Sequence, residues 1–342
     1  MQTKLISFIV AEAVHAGRAK EAVQSPVLKS APYYFEASVP RQFISSQEKV
    51  TVSGQEATLT LKIYKPNFLL VEVSVDGLDI FSDSMMSLKE EVLDLAREAL
   101  KKKGGKDVDS FSEEYSVYII SGYKGEPEQF FEHKEVIAGL LKSEKLPLDP
   151  KEIDYTLSSS IKYAKNDLII VDWDGAFIFD PDGDYESTLE LLELANLQLL
   201  KYRILDKELD ERLKKVVDLV EHSQGKKRFF SSKDIRQFLK ETMLARSTSI
   251  SEFQALDRDI KLIGDWYSAR LYDLVVKKFK LDDWRHGVKD KLDALEDVYA
   301  IASQNFTITW EQRSRIIEMA GWYILLVGWL ALLVLDIYFY RK

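Results

Sequence analysis

Short runs of β-branched and aromatic residues, separated by turn-forming residues, predict strands in the first half of the chain. The first two runs flank Lys65-Pro66-Asn67, and the last two flank Asp172-Trp173-Asp174-Gly175. This arrangement predicts two hairpins with one further strand between them. The runs are Ala57–Tyr64, Phe68–Val75, Tyr115–Ile120, Asp167–Val171 and Ala176–Phe179.

Apolar residues at three- and four-residue steps predict helices between these strands, over Ser87–Lys102 and Glu132–Leu141. Thr3–Val23 is expected to add a short strand and a helix, and the lysines and glycines of Lys101–Lys106 are expected to form a solvated loop. Residues 1–185 are therefore predicted to form one mixed α+β domain in the cytosol.

The composition changes after residue 185, because residues 186–315 contain no proline and their apolar residues recur at helical spacing. The spacing predicts a long helix that begins near Ser187 and breaks at Gln224–Gly225. We expect the helices to form an antiparallel hairpin, a coiled coil or a small bundle, within one chain or between chains. The later helices are predicted over Ser231–Arg246, Phe253–Val275 and Leu281–Ala302.

Hydrophobicity is most concentrated at the end of the sequence. Met319–Leu335 contains no charged residue, and Ile337–Tyr340 continues the apolar run after Asp336. A helix rises about 1.5 Å per residue, so residues 316–340 are long enough to cross a hydrocarbon core of about 30 Å. The alternative is the core helix of a soluble domain, which seldom has so long an uncharged run. We therefore predict a single transmembrane helix.

Residues typical of membrane interfaces accompany this segment. Gly321 and Gly328 are seven residues apart and share one helix face, where a second helix could approach closely and form a homodimer; tolerance of glycine in membrane helices is the alternative. The N-terminus makes a poor signal peptide, so the bulk of the chain is expected in the cytosol, at the cytoplasmic membrane if the protein is prokaryotic. The predicted anchor residues are Trp322, Tyr323, Trp329, Tyr338, Tyr340, Arg341 and Lys342.

Composition narrows the possible classes of protein. The 342 residues include 47 Lys+Arg and 56 Asp+Glu, a formal net charge of −9. This acidic balance argues against nucleic-acid binding, which depends on clustered cations. The absence of cysteine excludes disulfides, thiolate metal sites and a cysteine nucleophile. The mean hydropathy of −0.18 is that of a soluble protein and conceals the apolar tail.

The strand Leu168–Val171, followed by Asp172, Trp173, Asp174 and Gly175, is the motif most suggestive of chemistry. Phosphatases of the haloacid dehalogenase type place a nucleophilic aspartate and an acid/base aspartate around Mg²⁺ on such a strand. That chemistry needs a parallel sheet and a helix after the motif, whereas this motif is followed by a predicted strand. A tight hairpin is the preferred interpretation, and a membrane-tethered Mg-dependent phosphatase using Asp172 and Asp174 is the alternative.

Asp180, Asp182 and Asp184 are spaced like the first ligands of a calcium loop, but the glycine and the final glutamate of such a loop are missing from their positions. An acidic turn before a helix is the preferred interpretation. No P-loop, nucleophile elbow or convincing catalytic triad is present, and we expect no enzymatic activity, no metal and no cofactor. The histidines, which lack metal-ligand spacing, are His15, His133, His222 and His286.

The order of these parts resembles the family of proteins required for meiotic nuclear division, whose mitochondrial and microbial members share a domain of unknown function. Val171–Phe177 is similar to that family's hairpin, with an extra residue before the glycine, and Arg313–Glu318 resembles its short charged lead into the membrane. The resemblance covers about residues 115–342 and leaves residues 1–110 unaccounted for. It implies a membrane-anchored, oligomeric helical scaffold without established catalysis.

CorA-type magnesium channels also place an α/β domain and long helices before membrane helices. This chain departs from them, because it has one predicted span where two are needed and no Gly-Met-Asn at its end. Transport through a pore of its own is therefore not expected.

The sequence thus predicts an α+β domain over residues 1–185, a helical hairpin or stalk over 186–315 and a transmembrane helix over 316–340. The expected function is that of a single-pass, tail-anchored scaffold or tether. Its expected partners are the lipid bilayer, further copies of the chain and other proteins, without nucleic acid.

Overall fold

A computed structural model describes residues 1–14, 42–65, 67–225 and 266–340, together with residues 244, 247, 250 and 251. The elements in chain order are β1 (Gln2–Glu12), β2 (Gln42–Val52), β3 (Gln55–Tyr64), β4 (Phe68–Asp76), α1 (Met85–Lys102), β5 (Ser112–Ser121), a 3-10 helix (Pro127–His133), α2 (Lys134–Lys142), α3 (Pro150–Ser158), β6 (Ser160–Ile161), β7 (Leu168–Val171), β8 (Gly175–Phe179), α4 (Glu186–Gly225), α5 (Trp266–Lys278) and α6 (Leu281–Tyr340).

The chain divides into two compact units. One consists of Met1–Lys207 with Ser251–Val288, and the other of Glu208–Ile250 with Lys289–Lys342. Helices α4 and α6 each contribute residues to both units.

The first unit contains one eight-stranded sheet with the order β2-β3-β4-β1-β5-β8-β7-β6. Neighbouring strands are antiparallel except β5 and β8, which are parallel. Both predicted hairpins are confirmed, as β3–β4 and β7–β8. With its mixed sheet and helices followed by further helices and a C-terminal apolar helix, the structure confirms the predicted α+β class.

The first strand is longer and more central than its sequence pattern predicted. Thr3–Val23 was expected to supply a short strand and a helix, but β1 runs over eleven residues between β4 and β5. Leu5–Ala11 is buried throughout, as in a strand covered on both faces, and such a run lacks the alternation that marks a half-exposed strand. The predicted helical part, after residue 14, lies outside the described residues.

One face of the sheet is covered by α1 and α2. Val92, Ala96 and Leu100 of α1 lie on one side of the helix and belong to the same core as Leu5 and Ile9 of β1. These positions are four residues apart, so the apolar stripe predicted for this helix is the one that packs. The resulting core also includes Leu59, Leu61 and Ile63 of β3, Val71 and Val73 of β4, and Ile137 and Leu141 of α2.

The opposite face is covered by the beginning of α4 and by α5. Alternate residues of a strand point to opposite faces, so Lys62 and Tyr64 of β3 face away from α1, and both contact Glu193 of α4. The ring of Tyr115 on β5 meets Phe279, just after α5, at 5.5 Å in an edge-to-face arrangement. Two covered faces explain why several strands are apolar on both sides.

The second unit contains the remainder of α4 and most of α6. Leu209 and Leu295 are fully buried, and Lys291 Nζ lies 2.7 Å from Asp210 Oδ1, so the two helices touch there. The helix predicted over Leu281–Ala302 and the apolar segment form one continuous helix of 60 residues. The predicted helix Ser231–Arg246 and the first part of the predicted helix Phe253–Val275, up to residue 265, lie almost entirely outside the described residues. The remainder of the latter prediction, from Trp266 to Val275, is confirmed as part of α5. A coiled coil and the predicted boundaries at residues 185 and 315 stay predictions.

Candidate functional site

The C-terminal part of α6 is long and apolar enough to cross a membrane. Arg315–Val334 has a mean hydropathy of 1.9, and none of its residues is buried within the chain. The aromatic residues that the sequence assigned to the anchor are open, since Trp322, Tyr323 and Trp329 are 74%, 75% and 66% exposed. A core helix of a soluble domain would bury most of this surface.

The other predicted anchor and packing residues lie in or beyond the same helix. Tyr338 and Tyr340 are in α6, although their side chains are outside the described part of the chain, as are Arg341 and Lys342 entirely. Apart from the neighbouring residues and backbone of the helix itself, nothing in the described chain lies within 4 Å of the point where a β-carbon on Gly321 or Gly328 would stand. Their face of the helix therefore has room for close approach by another helix.

Asp172 joins three elements of the first unit at the β7–β8 turn. Its backbone N–H donates to the Gly175 carbonyl at 2.9 Å, which closes the turn, and its Oδ1 accepts from the Trp173 N–H at 2.8 Å. Lys142 Nζ, at the end of α2, lies 3.1 Å from Oδ2, and Lys278 Nζ, at the end of α5, lies 3.3 Å from Oδ1. Because the Asp172 side chain is only 6% exposed, these lysines neutralise a buried charge.

The lysines around Asp172 have further partners. Lys142 Nζ also lies 2.9 Å from Glu152 Oε1, and burial, which lowers the pKa of Lys142, is outweighed by Glu152 and Asp172, which raise it. Lys278 Nζ lies 4.7 Å from the centre of the Tyr155 ring. The arrangement is that of a structural charge cluster between helices and a hairpin.

Asp174, the second predicted aspartate, has different neighbours from Asp172. Burial raises the pKa of its carboxyl, while the charge of Lys89 and a hydrogen bond with Ser143 oppose that rise. Lys89 is 4% exposed and donates to Ser143 Oγ, and its burial lowers the pKa of its ammonium. Asp172 and Asp174 thus have different lysine partners, and the charge of Asp172 is one of the effects that raise the pKa of Asp174.

The strand that the sequence predicted after the motif is present in the structure. Phosphatase chemistry was expected to need a parallel strand followed by a helix, but β7 is followed directly by the antiparallel strand β8. The second acidic motif is a turn as well, because Asp180 Oδ1 accepts the N–H groups of Asp182 and Gly183 at 2.8 and 2.9 Å. Within the described residues, no three His, Asp or Glu side chains are placed to hold one metal ion.

Sequence reasoning missed a buried ionic network between the sheet and α4. Glu193 is fully buried; its Oε1 lies 2.7 Å from Lys62 Nζ, and its Oε2 accepts a 2.8 Å hydrogen bond from the Tyr64 hydroxyl. Lys62 Nζ also lies 2.8 Å from Glu72 Oε2. A signal was present in the sequence, because Glu193 lies four residues from both Leu189 and Leu197 and so shares their face of the helix.

Two carboxyl groups share one ammonium group in this network. Burial raises the pKa of Glu193 from its usual value of 4.5 to about 7, and Glu72 adds to the rise while Lys62 opposes it. The pKa of Lys62 is also raised, because the two carboxylates outweigh the effect of its own burial. Lys62 therefore stays charged, and the group that gains or loses a proton near neutral pH is a carboxyl group of the network.

Comparison with known proteins gives one family and one curated relative. Residues 4–186 match the family model described as "Uncharacterized protein MJ0711, N-terminal domain". The protein named "Uncharacterized protein MJ0711" from Methanocaldococcus jannaschii is 31% identical over 261 residues, which cover 76% of this chain and 77% of that protein. No solved structure matches the chain.

Proposed function

The chain belongs to the family defined by the N-terminal domain of MJ0711, and from this premise we propose that it is a single-pass membrane protein whose α+β domain serves as a scaffold or tether. The anchor in this proposal is the end of α6, and the domain binds other proteins next to the membrane. Catalysis has no part in it.

The exposed apolar surface of Arg315–Val334 is the observation that carries this proposal. Leaving a surface of this size in water is costly, at roughly 25 cal/mol per Å² of apolar area, so the segment needs an apolar environment. A bilayer supplies that environment over the whole length of the helix. An oligomer of helices in water is the competing explanation that the experiment has to exclude.

Two observations support a non-catalytic domain. The carboxylate of Asp172 is bound by Lys142 and Lys278, which leaves its charge compensated by the protein itself. Asp174 lies beside a different lysine, Lys89, which supports a structural role for this aspartate as well. Structural lysine–aspartate clusters of this kind hold elements together.

Self-association through Gly321 and Gly328 is part of the proposal. The open space beside both glycines would let the backbones of two helices approach closely, which is how small residues favour packing in membranes. A scaffold with two copies could hold two partners next to each other.

The test of anchoring is extraction of isolated membranes from expressing cells at alkaline pH. We expect the full chain to stay in the membrane pellet and to enter the soluble fraction once Leu326 and Leu330 are both replaced by Arg, since each charge near the centre of a span costs about 3 kcal/mol. Glu318→Arg, near the end of the segment, is the control and should stay in the pellet. Recovery of the native chain in the soluble fraction would contradict the proposal.

The test of self-association is light scattering of the detergent-solubilised full chain. We expect an oligomer, and we expect Gly321→Ile with Gly328→Ile to shift it towards the monomer. Ala320→Ile with Val327→Ile has the same spacing on a neighbouring face and should leave the oligomer intact. A monomeric native chain would rule out this part of the proposal.

A further inference from the structure

The apolar end of α6 carries a seam of residues that repeats every seven positions. Ile317, Gly321, Ile324, Gly328 and Ala331 follow one another at alternating steps of four and three residues, which is the spacing of positions d and a in a coiled-coil heptad. All five lie on one face of the helix and are exposed, with Ile317 and Ile324 at 72% and 73%. The described part of the chain therefore leaves this apolar face without a partner.

The large aromatic residues of the same segment avoid the seam. Trp322 and Trp329 each follow one of the two glycines, and Tyr323 follows Trp322, so these residues occupy positions b and c of the same heptads. Side chains at positions b and c point away from the neighbouring helix of a coiled coil. The glycines are thus on one side of the helix and the tryptophans on another, as expected where the first side meets a helix and the second meets lipid.

Charged residues at the start of the segment are complementary to those of a second copy of the same helix. Arg313 occupies position g, and Glu318 occupies the following position e, five residues later. In a parallel pair of helices, these two positions lie next to each other across the interface. Helix α6 is continuous through both residues, so the heptad frame is unbroken between them. A symmetric pair of helices therefore brings Arg313 and Glu318 together twice, once on each side of the seam.

We infer that this face of α6 binds a second copy of the chain in a parallel dimer, whose register is set by Arg313 of each copy and Glu318 of the other. The inference rests on the proposed function, because two anchored copies with the same orientation in the bilayer present their helices in parallel. The open space at Gly321 and Gly328 allows the two backbones to approach closely.

A different membrane protein is the competing occupant of this face. A second copy is preferred because the complementary charges belong to the chain's own sequence, at the spacing that a symmetric pair requires.

The first experiment tests which face of α6 meets the partner, by forming disulfides between copies of the full chain in isolated membranes. The chain has no cysteine, so a single one can be introduced. Ile317→Cys places it in the seam at position d, and Ile316→Cys, at position c, is the matched control because both isoleucines are exposed neighbours. A disulfide requires two α-carbons within about 7 Å, so oxidation with copper phenanthroline should give a covalent dimer from Ile317→Cys and none from Ile316→Cys.

The second experiment tests the register through the two charges. Glu318→Arg opposes two cations on each side of the seam, so the dissociation constant of the dimer, measured by light scattering of a dilution series in detergent, should rise about tenfold. Adding Arg313→Glu restores opposite charges in exchanged positions and should return that constant to within about twofold of the native value. Arg315→Glu, at position b, is the control and should leave the constant unchanged.

The outcomes separate the seam from the anchor. A dimer that forms no disulfide at residue 317, or equal disulfides at residues 316 and 317, would overturn the seam and leave membrane anchoring, tested by alkaline extraction, in place. A charge exchange that fails to restore the dimer would overturn the assigned register, and a larger assembly would overturn the pairing of two copies. Glu318→Arg is expected to stay in the membrane, so loss of the dimer in this variant is distinct from loss of the anchor.

Discussion

Lys62 Nζ and Glu193 Oε1 are 2.7 Å apart where the sheet meets α4, and Glu193 has no exposure to solvent. Lys62 is also shared with Glu72, so this interface holds two carboxyl groups for one ammonium. Ionising both carboxyl groups leaves a net negative charge in a region from which water is excluded, and this cost makes the packing of α4 dependent on pH.

Stability is expected to fall as pH rises through the range from about 4.5 to about 7, by up to about 3 kcal/mol from this group. The sign follows from the raised pKa of Glu193, because the folded chain holds a proton that the unfolded chain has already released. Glu193→Gln should remove this dependence. The free energies of unfolding of the native chain and the variant are measured in urea at pH 5 and at pH 8. The difference between the two chains at pH 5 is then compared with the difference at pH 8. Equal differences at both pH values would contradict the assignment.

Removal of Lys62 should be far more damaging than removal of an exposed lysine from the same sheet. Lys62→Met leaves Glu72 and Glu193 without their shared cation, and breaking such a buried pair costs about 3 to 5 kcal/mol. Lys49→Met is the control, because Lys49 pairs with Glu56 on the exposed surface and its loss should have no measurable effect. Urea unfolding midpoints of both variants test this, and similar midpoints would show that the buried network does not stabilise the fold.

Asp172→Asn should destabilise the first unit by about 2 kcal/mol, because Lys142 and Lys278 lose the charge between them. Asp182→Asn, in the following acidic turn, leaves the hydrogen bonds of Asp180 in place and should change nothing. Thermal unfolding measures both effects.

The native chain and Asp172→Asn also test the phosphatase alternative. We expect no magnesium-dependent hydrolysis of a phosphate ester by the native chain or by Asp172→Asn. Hydrolysis by the native chain that Asp172→Asn abolishes, with the fold retained, would establish the alternative.

Gly175→Ala should destabilise β8 by about 1 to 3 kcal/mol. An added β-carbon would stand 2.8 Å from the Ser116 carbonyl oxygen, at the residue pair where parallel β5 and β8 begin to pair, and the backbone would have to shift. Gly287→Ala is the opposite case, because nothing outside the neighbouring residues and backbone of α6 lies within 4 Å of the new carbon, and helix propensity favours alanine by about 1 kcal/mol. The midpoint temperature of thermal unfolding should therefore fall for Gly175→Ala and rise for Gly287→Ala. A change in the same direction for both variants would contradict the packing described for these glycines.

The pattern of apolar residues along the chain correctly predicted those elements that are determined by neighbouring residues. The hairpin of β3 and β4 follows from two alternating runs around a tight turn, and α1 follows from an apolar stripe at helical spacing. Central strand β1 was predicted too short, because Leu5–Ala11 is buried on both faces and such a run resembles a buried helix as much as a strand.

The sequence alone determined that an acidic, cysteine-free α+β region is followed by helices and by a final apolar segment able to span a membrane, because hydropathy and spacing are properties of neighbouring residues. Tertiary structure decided which distant side chains meet. It placed Glu193 against Lys62, Asp172 between two lysines, and Tyr163 on Trp266, pairings that depend on which faces of separate elements pack together. A pattern along one element states which side is buried, but it does not state the partner, because contact between elements is fixed by the geometry of the whole sheet and its two helical layers.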